Sequence, residues 1–207
     1  MRPPGKTTKE KGKGFSREII LTGFGGQGIV LAGRILGEAA SLGDHRASTF
    51  VQSYGPESRG GECTAQVILS DRPIHYPYVR RPDILLCMSQ SGYDKYIGQF
   101  REDGTLITEE DLVRTRPLPE ANLFPIPATR FAEEMGKAMM ANIIMIGFLI
   151  AVTEIVSGGA VRSAVRNAVP QGTEEMNVRA FEKGHEFGRA VLKSLQKKAA
   201  GKAAVSG

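Results

Sequence analysis

The sequence predicts an α/β fold, with an open, mostly parallel sheet, flanking helices and a helical C-terminal part. A short apolar segment, Glu18–Gly23, leads into a glycine-rich turn and then into the helical period of Ile29–Leu42. This is the order of a buried strand, a tight turn and a helix. Further short apolar segments alternate with polar or helical stretches as far as Ile126, which is typical of an α/β sheet. Beyond that residue every predicted element is a helix.

Five more strands are predicted after the first. The segment Asp83–Ser89 is almost wholly apolar, so we expect it near the centre of the sheet. Prolines at 125 and 127 limit the last strand. The five predicted strands are Arg46–Gln52, Cys63–Leu69, Asp83–Ser89, Gly104–Thr108 and Asn122–Ile126.

The helices are predicted from apolar periodicity and from capping residues. Ser91 and Thr129 are placed to cap the second and third helices. The apolar core of Lys137–Val156 is shorter than the roughly 20 residues that cross a bilayer, so it predicts a buried helix and no membrane partner. The predicted helices after the first are Ser91–Phe100, Arg130–Gly136, Lys137–Val156, Ala160–Val169 and Thr173–Leu195.

Two small features concern packing. Asn142 lies within the apolar helix and must find hydrogen bonds, and we expect it to cap a neighbouring loop. The pair Gly184-x-x-x-Gly188 predicts close packing of the last helix against the sheet.

Basic charge is concentrated at the two ends of the chain. The 207 residues carry a net charge of +5 and give a pI of about 9.3. Residues 18–192 nevertheless carry 17 basic and 21 acidic residues, a net charge of −4. A nucleic-acid-binding face is therefore not expected. The composition predicts one domain, 17–195, between two flexible basic tails, 1–16 and 196–207.

The cysteines and histidines predict no metal centre. Cys63 and Cys87 are too few to hold an iron–sulfur cluster or a structural zinc ion, and we expect both in the core. Without a disulfide framework, a cytoplasmic location is expected. His45, His75 and His185 are scattered and show no metal or triad spacing. We therefore expect no catalytic residue and no metal ligand in this chain.

The first candidate site is the turn Gly23–Gly28, with glycines at the first, third and sixth positions. Between a strand and a helix, this spacing brings backbone N–H groups and the helix dipole towards an anion. A dinucleotide-binding protein would also carry an acid about 20 residues on, whereas the second strand ends in Val51-Gln52-Ser53. A phosphate or nucleotide ligand and a purely structural turn both stay open. The candidate residues are Gly25, Gly26, Gln27 and Gly28.

The second candidate site is the loop Ser53–Gly61 after the second strand. It should leave the carboxyl edge of the sheet, where α/β proteins bind ligands. Arg59 can hold a carboxylate or phosphate with two hydrogen bonds. A plain turn with an exposed Glu57–Arg59 ion pair is the simpler alternative. We predict a binding or interface role, with candidate residues Tyr54, Glu57, Arg59, Gly60 and Gly61.

Together these motifs resemble the gamma subunit, or gamma domain, of 2-oxoacid:ferredoxin oxidoreductases over about residues 17–192. The specific element is the string Tyr-Gly-Pro-Glu-x-Arg-Gly-Gly of Tyr54–Gly61. The segments that carry the resemblance are Gly23–Gly28, Ser53–Gly61, Ile68–Ile74, Pro82–Leu85, Pro127–Thr129 and Asn142.

The resemblance implies one subunit of a complex that decarboxylates a 2-oxoacid oxidatively, usually to an acyl-CoA. It implies thiamine diphosphate, Mg, iron–sulfur clusters and coenzyme A on or with thiamine-binding and cluster-binding companion subunits, and ferredoxin or a similar acceptor. No cofactor is expected on this chain alone, because it supplies binding and assembly. The two glycine-rich loops would face the companions near the active-site or coenzyme A entrance.

Three questions stay open at this point. The 2-oxoacid could be 2-oxoglutarate, pyruvate, or a branched-chain or aryl compound. The chain could contact coenzyme A or be a non-catalytic scaffold subunit. A stand-alone Rossmann-type nucleotide-binding protein, on the same Rossmann-like sheet, is the alternative from another class.

Overall fold

The framework of the molecule is a six-stranded sheet. The computed structural model describes residues 14–55, 61–117 and 123–205. Each strand begins and ends within two residues of its predicted limits. The strands are β1 (Ser16–Phe24), β2 (Ala47–Tyr54), β3 (Glu62–Ser70), β4 (Ile84–Cys87), β5 (Thr105–Glu109) and β6 (Leu123–Ile126).

The strands are ordered β2-β3-β1-β4-β5-β6 across the sheet. Five run in one direction, and β3 alone is reversed because it pairs antiparallel with both β1 and β2. The predicted α/β class with a mostly parallel sheet is confirmed. Because β2 points the same way as β1, its last residue, Tyr54, reaches the same carboxyl edge as the glycine turn. β3 lies between these two strands and was not predicted to do so.

Six α-helices accompany the sheet. The first ends at Glu38 and is followed by one π turn, Ala39–Gly43, where the sequence predicted α-helix to Leu42. The apolar segment begins with a 3₁₀ turn, Ala138–Met140, before the α-helix proper. The helices are α1 (Ile29–Glu38), α2 (Gln90–Tyr96), α3 (Ala128–Glu134), α4 (Ala141–Thr153), α5 (Gly158–Ala168) and α6 (Glu174–Val205).

Two predicted caps were wrong. Ser89, not Ser91, caps α2, since its hydroxyl accepts the N–H of Gly92 at 3.2 Å. Thr129 lies inside α3 and donates its backbone N–H to the carboxylate of Glu109 at 3.1 Å. That carboxylate is fully buried and also accepts two N–H groups of its own turn, so it ties the end of β5 to the start of α3.

Alternate strand residues face two unequal cores. Ile19 and Leu21 face a large cluster that contains α1, α4, α5 and much of α6. Ile20 faces a smaller cluster that contains Tyr93 and Tyr96 of α2. Helices therefore flank the sheet mainly on one side. α4 lies in the middle of the larger core, and eleven of its thirteen residues are buried.

Close contact between α4 and α6 depends on glycines of both helices. A Cβ atom at Gly184 would overlap the carbonyl oxygen of Ile144, and one at Gly147 would overlap the carbonyl oxygen of Phe181. The prediction that Gly184 and Gly188 pack on the sheet is therefore wrong, because they pack on α4. Small residues let the two backbones approach and bury the second side of an almost wholly apolar helix.

The ends of the folded part differ from the predicted limits. Ser16 already pairs with Ser70 in the sheet, although the tail was predicted to extend to residue 16. α6 continues to Val205, ten residues beyond its predicted end at Leu195. Residues 196–201 of this extension are exposed, so this part of the helix does not pack on the core. The domain limits 17–195 stay a prediction, and residues 1–13 lie outside the described part.

No helix in the described ranges has the length and apolarity that crossing a bilayer requires. For α4 the reason is its length of 13 residues.

Substitution of Gly184 tests the packing of the two helices. Gly184→Ala should lower the free energy of unfolding by about 1–3 kcal/mol, because overpacking forces the backbones apart. Gly201→Ala on the same helix meets open space and should be neutral or slightly stabilising. Urea denaturation followed by circular dichroism measures both variants. Equal effects would contradict the close approach of α6 to α4.

Candidate functional site

The glycine turn joins β1 to α1 with two left-handed glycines. Gly26 has φ of 95° and Gly28 has φ of 75°, values that residues with a Cβ rarely adopt. Gly28 is the N-cap residue of α1, and its carbonyl accepts the N–H of Ala32 at 2.9 Å. The first turn of α1 therefore directs its remaining N–H groups and the positive end of its dipole towards the carboxyl edge of the sheet.

Gln27 holds the turn in place with its side chain. Its Oε1 accepts the N–H of Phe24 at 2.6 Å, and its Nε2 donates to the carbonyl of Met88 at 3.1 Å. The amide thus connects the end of β1 to the residue that follows β4. Gln27 was predicted as a candidate binding residue, and the structure gives its amide a positioning contact at both ends.

The two predicted loops meet. The N–H of Gly25 donates to the carbonyl of Gly61 at 2.8 Å, and the N–H of Gly55 donates to the carbonyl of Glu62 at 2.7 Å. β2 and β3 are therefore the two strands of a hairpin, and Gly61, just before β3, contacts the glycine turn. The predicted candidates Glu57, Arg59 and Gly60 lie outside the described residues.

A cavity of about 390 Å³ opens between the turn and the end of β2. Its mouth is flanked by two large side chains, Phe24 at 43% exposure and Tyr54 at 64%. Arg34 of α1 also lines it, and its guanidinium lies 3.7 Å from the Glu38 carboxylate and 3.5 Å from the carbonyl of Ala168. Sequence analysis selected Tyr54 but missed Phe24 and Arg34. Phe24 could have been found from the sequence, because it ends a strand directly before a glycine turn.

A second cavity, of about 210 Å³, lies on the other side of the same glycines. Met139, 83% exposed, stands at this cavity, and Lys137 also lines it. Asn142 forms part of the wall and is only 3% exposed. Its Nδ2 donates to the carbonyl of Gly28 at 3.1 Å, so the predicted cap to a neighbouring loop is confirmed. Its Oδ1 has no hydrogen-bond partner within the described residues.

The cysteines do not suit metal or cluster binding. Cys63 and Cys87 are buried on β3 and β4, as predicted. Burial raises the pKa of both thiols, even though the backbone N–H of Val30 partly opposes this at Cys63. The neutral thiol is favoured, whereas a metal ligand must be a thiolate. Among residues 14–55, 61–117 and 123–205, no cluster of three or more His, Cys, Asp or Glu is arranged to hold a metal ion.

The three histidines lie on different segments of the fold. His45 follows the π turn, His75 lies in the loop after β3, and His185 stacks on Phe181 within α6. The structure therefore brings the glycine turn, Tyr54 and Gly61 together at one edge and leaves the histidines elsewhere.

Comparison with known proteins shows the family. The profile described as pyruvate ferredoxin/flavodoxin oxidoreductase matches residues 18–187. 2-Oxoglutarate synthase subunit KorC of Methanocaldococcus jannaschii is 49% identical over 176 residues, which is 84% of this chain and 94% of that protein. KorC of Methanothermobacter marburgensis is 46% identical over 178 residues, covering 83% of this chain and 96% of that protein.

More distant relatives and a solved structure agree with this match. Pyruvate synthase subunit PorC of Methanothermobacter marburgensis is 29% identical over 173 residues, which is 82% of this chain and 96% of that protein. The crystal structure of a keto/oxoacid ferredoxin oxidoreductase gamma subunit from Geobacter sulfurreducens superposes with a TM-score of 0.74 at 36% identity. The superposition covers 85% of this chain and 98% of that one.

These matches define a small α/β subunit of an oxidoreductase. The chain belongs to the pyruvate ferredoxin/flavodoxin oxidoreductase family, and the predicted resemblance is confirmed. Within that family it is a gamma subunit of a 2-oxoacid:ferredoxin oxidoreductase.

Substitution of Gln27 tests its positioning role. Gln27→Glu keeps the acceptor for the N–H of Phe24 but places a carboxylate against the carbonyl of Met88. The free energy of unfolding should fall by about 1–3 kcal/mol. Gln99→Glu, an exposed change with the same chemistry, should have little effect. Thermal denaturation measures both, and equal stability of the two variants would contradict the bridging role.

Proposed function

We propose that this gamma subunit serves a complex that oxidises 2-oxoglutarate. The observation that supports this proposal is sequence identity. The chain is 49% and 46% identical to two KorC subunits over nearly their whole length, but 29% identical to a PorC subunit. The companion subunits hold the thiamine and the iron–sulfur clusters, and a ferredoxin-type acceptor takes the electrons. These cofactors supply the decarboxylation and the electron transfer, and this chain supplies binding surface.

We assign the contact with the companion subunits to the carboxyl edge of the sheet. Phe24, Tyr54 and Met139 expose large apolar surfaces around the glycine turn, two of them beside one cavity and the third beside the other. Exposed apolar groups clustered in this way favour a protein interface. Gly25 and Gly26 are exposed between them, which allows the backbone of a partner to approach closely.

The same edge fits coenzyme A chemically. Arg34 and the first turn of α1 offer positive charge and N–H donors for phosphate groups. The walls formed by Phe24 and Tyr54 suit an apolar arm. The buried Oδ1 of Asn142 lacks a donor, and a ligand N–H or a companion residue would satisfy it. Cluster binding does not fit, because both thiols are buried in the core.

The alternative of a stand-alone Rossmann-type nucleotide-binding protein has less support. β2 ends in Gln52-Ser53-Tyr54, so no acid stands at the position that would hold a ribose. A purely scaffolding subunit differs from the proposal only in leaving coenzyme A untouched.

Substrate choice is tested by reconstitution of the complex. The chain is co-expressed with the thiamine-binding and cluster-binding subunits of its complex, and coenzyme A-dependent reduction of a dye acceptor is followed. With 2-oxoglutarate, kcat/KM should exceed that with pyruvate or 2-oxoisovalerate by at least about tenfold, or roughly 1.4 kcal/mol. An assembled complex that prefers pyruvate would contradict the substrate and leave the gamma assignment intact.

The coenzyme A contact is tested with arginine variants of the assembled complex. Arg34→Gln and Arg59→Ala should each weaken coenzyme A binding about tenfold, measured by calorimetry, because each removes a charged hydrogen bond. Arg80→Ala is the control, since Arg80 lies at the opposite edge, over the ring of Tyr76. Unchanged affinity in both test variants, with assembly retained, would favour the scaffold alternative.

A further inference from the structure

The cavity beside Met139 has a wall that lacks one hydrogen-bond donor. This cavity, of about 210 Å³, lies between the glycine turn and the first turns of α4 and α6. Asn142 belongs to its wall and is 3% exposed, so its amide is shielded from bulk water. Nδ2 of Asn142 donates to the carbonyl of Gly28, whereas Oδ1 has no partner among the described residues. An unpaired buried acceptor is costly, and it points to a donor supplied by a bound group.

The orientation of this amide is fixed by its neighbour. The group that faces it at the glycine turn is a carbonyl oxygen, which can only accept a hydrogen bond. Turning the amide over would bring Oδ1 against that oxygen and lose the 3.1 Å contact. Two other polar side chains of the wall have partners already, because Thr173 Oγ1 donates to the carbonyl of Pro170 and Asn177 Nδ2 donates to the carbonyl of Thr173. Oδ1 of Asn142 therefore remains as an open acceptor in the wall of this cavity.

The rest of the wall favours a flat, apolar group. Its aliphatic and thioether side chains are Leu31, Met139, Met140, Ile143 and Val169. Methionine sulfur makes favourable contacts with aromatic rings, and two methionines line this cavity. The volume of about 210 Å³ is below the roughly 300 Å³ at which pockets for whole drug-sized molecules begin, so the cavity suits one part of a larger ligand. An aromatic ring with an N–H group at its edge fits both the apolar wall and Asn142.

The surroundings of the cavity favour an anionic ligand. Gly28 is the N-cap residue of α1, and α4 and α6 also begin at this cavity, so three helices bring the positive ends of their dipoles close to it. Among the described residues that line the cavity, Lys137 carries the charge and none is a carboxylate. A Cβ atom at Gly26 would meet open space, so a ligand chain can pass from this cavity to the one beside Phe24 and Tyr54.

We propose that the Met139 cavity binds the adenine ring of coenzyme A, with the exocyclic amine donating to Oδ1 of Asn142. This inference rests on the proposed coenzyme A contact and adds which end of the molecule enters which cavity. The phosphates then lie over the exposed glycine turn, and the apolar arm runs along Phe24 and Tyr54. A base without the amine would leave Oδ1 unpaired, so Asn142 is a specificity-determining residue for adenine.

Calorimetry on the assembled complex compares two ligands. One is coenzyme A, and the other is its analogue in which purine replaces adenine, so that only the exocyclic amine is missing. The wild type should bind the analogue at least about tenfold more weakly, because the buried Oδ1 loses its donor. Equal affinity for the two ligands overturns the inference and leaves the proposed coenzyme A contact intact, whereas absence of binding of either ligand overturns both.

Variants show whether Asn142 recognises the amine. Asn142→Leu has a similar size and no acceptor, so it should bind the two ligands with equal affinity. A merely structural role would weaken both ligands together and keep their affinity ratio. Asn167→Leu is the matched control, since Asn167 is exposed on α5 and does not line this cavity, and it should keep both affinities. A ratio that persists in Asn142→Leu assigns recognition of the base to a companion subunit and overturns the inference.

A second variant covers the case in which Asn142→Leu does not fold. Met139→Ala shortens an 83% exposed side chain at the cavity and should weaken both ligands at least about threefold while keeping their ratio. Unchanged affinity for both ligands would show that the base does not enter this cavity.

An ADP arm separates coenzyme A from free adenine nucleotides, which carry the same base and a diphosphate. Coenzyme A should bind the complex at least about tenfold more tightly than ADP, because its arm also buries apolar surface against Phe24 and Tyr54. Tighter binding of ADP would assign the cavity to a free nucleotide and overturn the inference.

Discussion

The burial of α4 is the constraint on which the rest of the structure depends. A helix with eleven of thirteen residues buried needs cover on every side, and the sheet can supply only one. α6 supplies the other, and Gly147 and Gly184 let the two backbones meet closely enough to exclude water. The packing of α4 between the sheet and α6 fixes the position of its first turn. Asn142 in that turn therefore lies against the carbonyl of Gly28 in the glycine turn. The geometry of the candidate site therefore depends on the packing of the core.

Hydrogen bonds from three neighbouring elements hold the glycine turn of the candidate site in place. Gln27 connects the turn to the end of β4, Gly25 connects it to the β2–β3 hairpin, and Asn142 connects it to α4. Each contact joins a different element, so the turn has little freedom to adapt. A preorganised edge of this kind suits a fixed partner, because less ordering entropy is lost when the interface forms.

Much of the fold could be predicted from the sequence, because apolar segments and glycines mark strands and turns locally. What failed depended on partners distant in sequence. β3 runs in the reverse direction between β1 and β2, and Gly184 packs on α4 instead of the sheet. The local periodicity of apolar residues does not show which element a strand or helix will have as its neighbour. The group that accepts the N–H of Thr129 at the start of α3 is the carboxylate of Glu109, twenty residues earlier in the sequence. The sequence around Thr129 therefore could not show which residue caps this helix. At the site, the glycines were predictable from spacing, whereas Arg34 and Met139 became visible only when the fold placed them beside the cavities.

The ionisable groups in the interior favour a binding role over a catalytic one. The carboxylate of Glu109 is buried and satisfies three backbone N–H groups, an arrangement that positions β5 and α3. Burial raises the pKa of the Cys63 and Cys87 thiols, so neither is available as a thiolate near neutral pH. Among the described residues, the carboxyl edge offers exposed apolar area, backbone N–H groups and the guanidinium of Arg34. Such groups recognise a partner or an anionic ligand and transfer no proton, which agrees with a gamma subunit whose chemistry is completed by the subunits it binds.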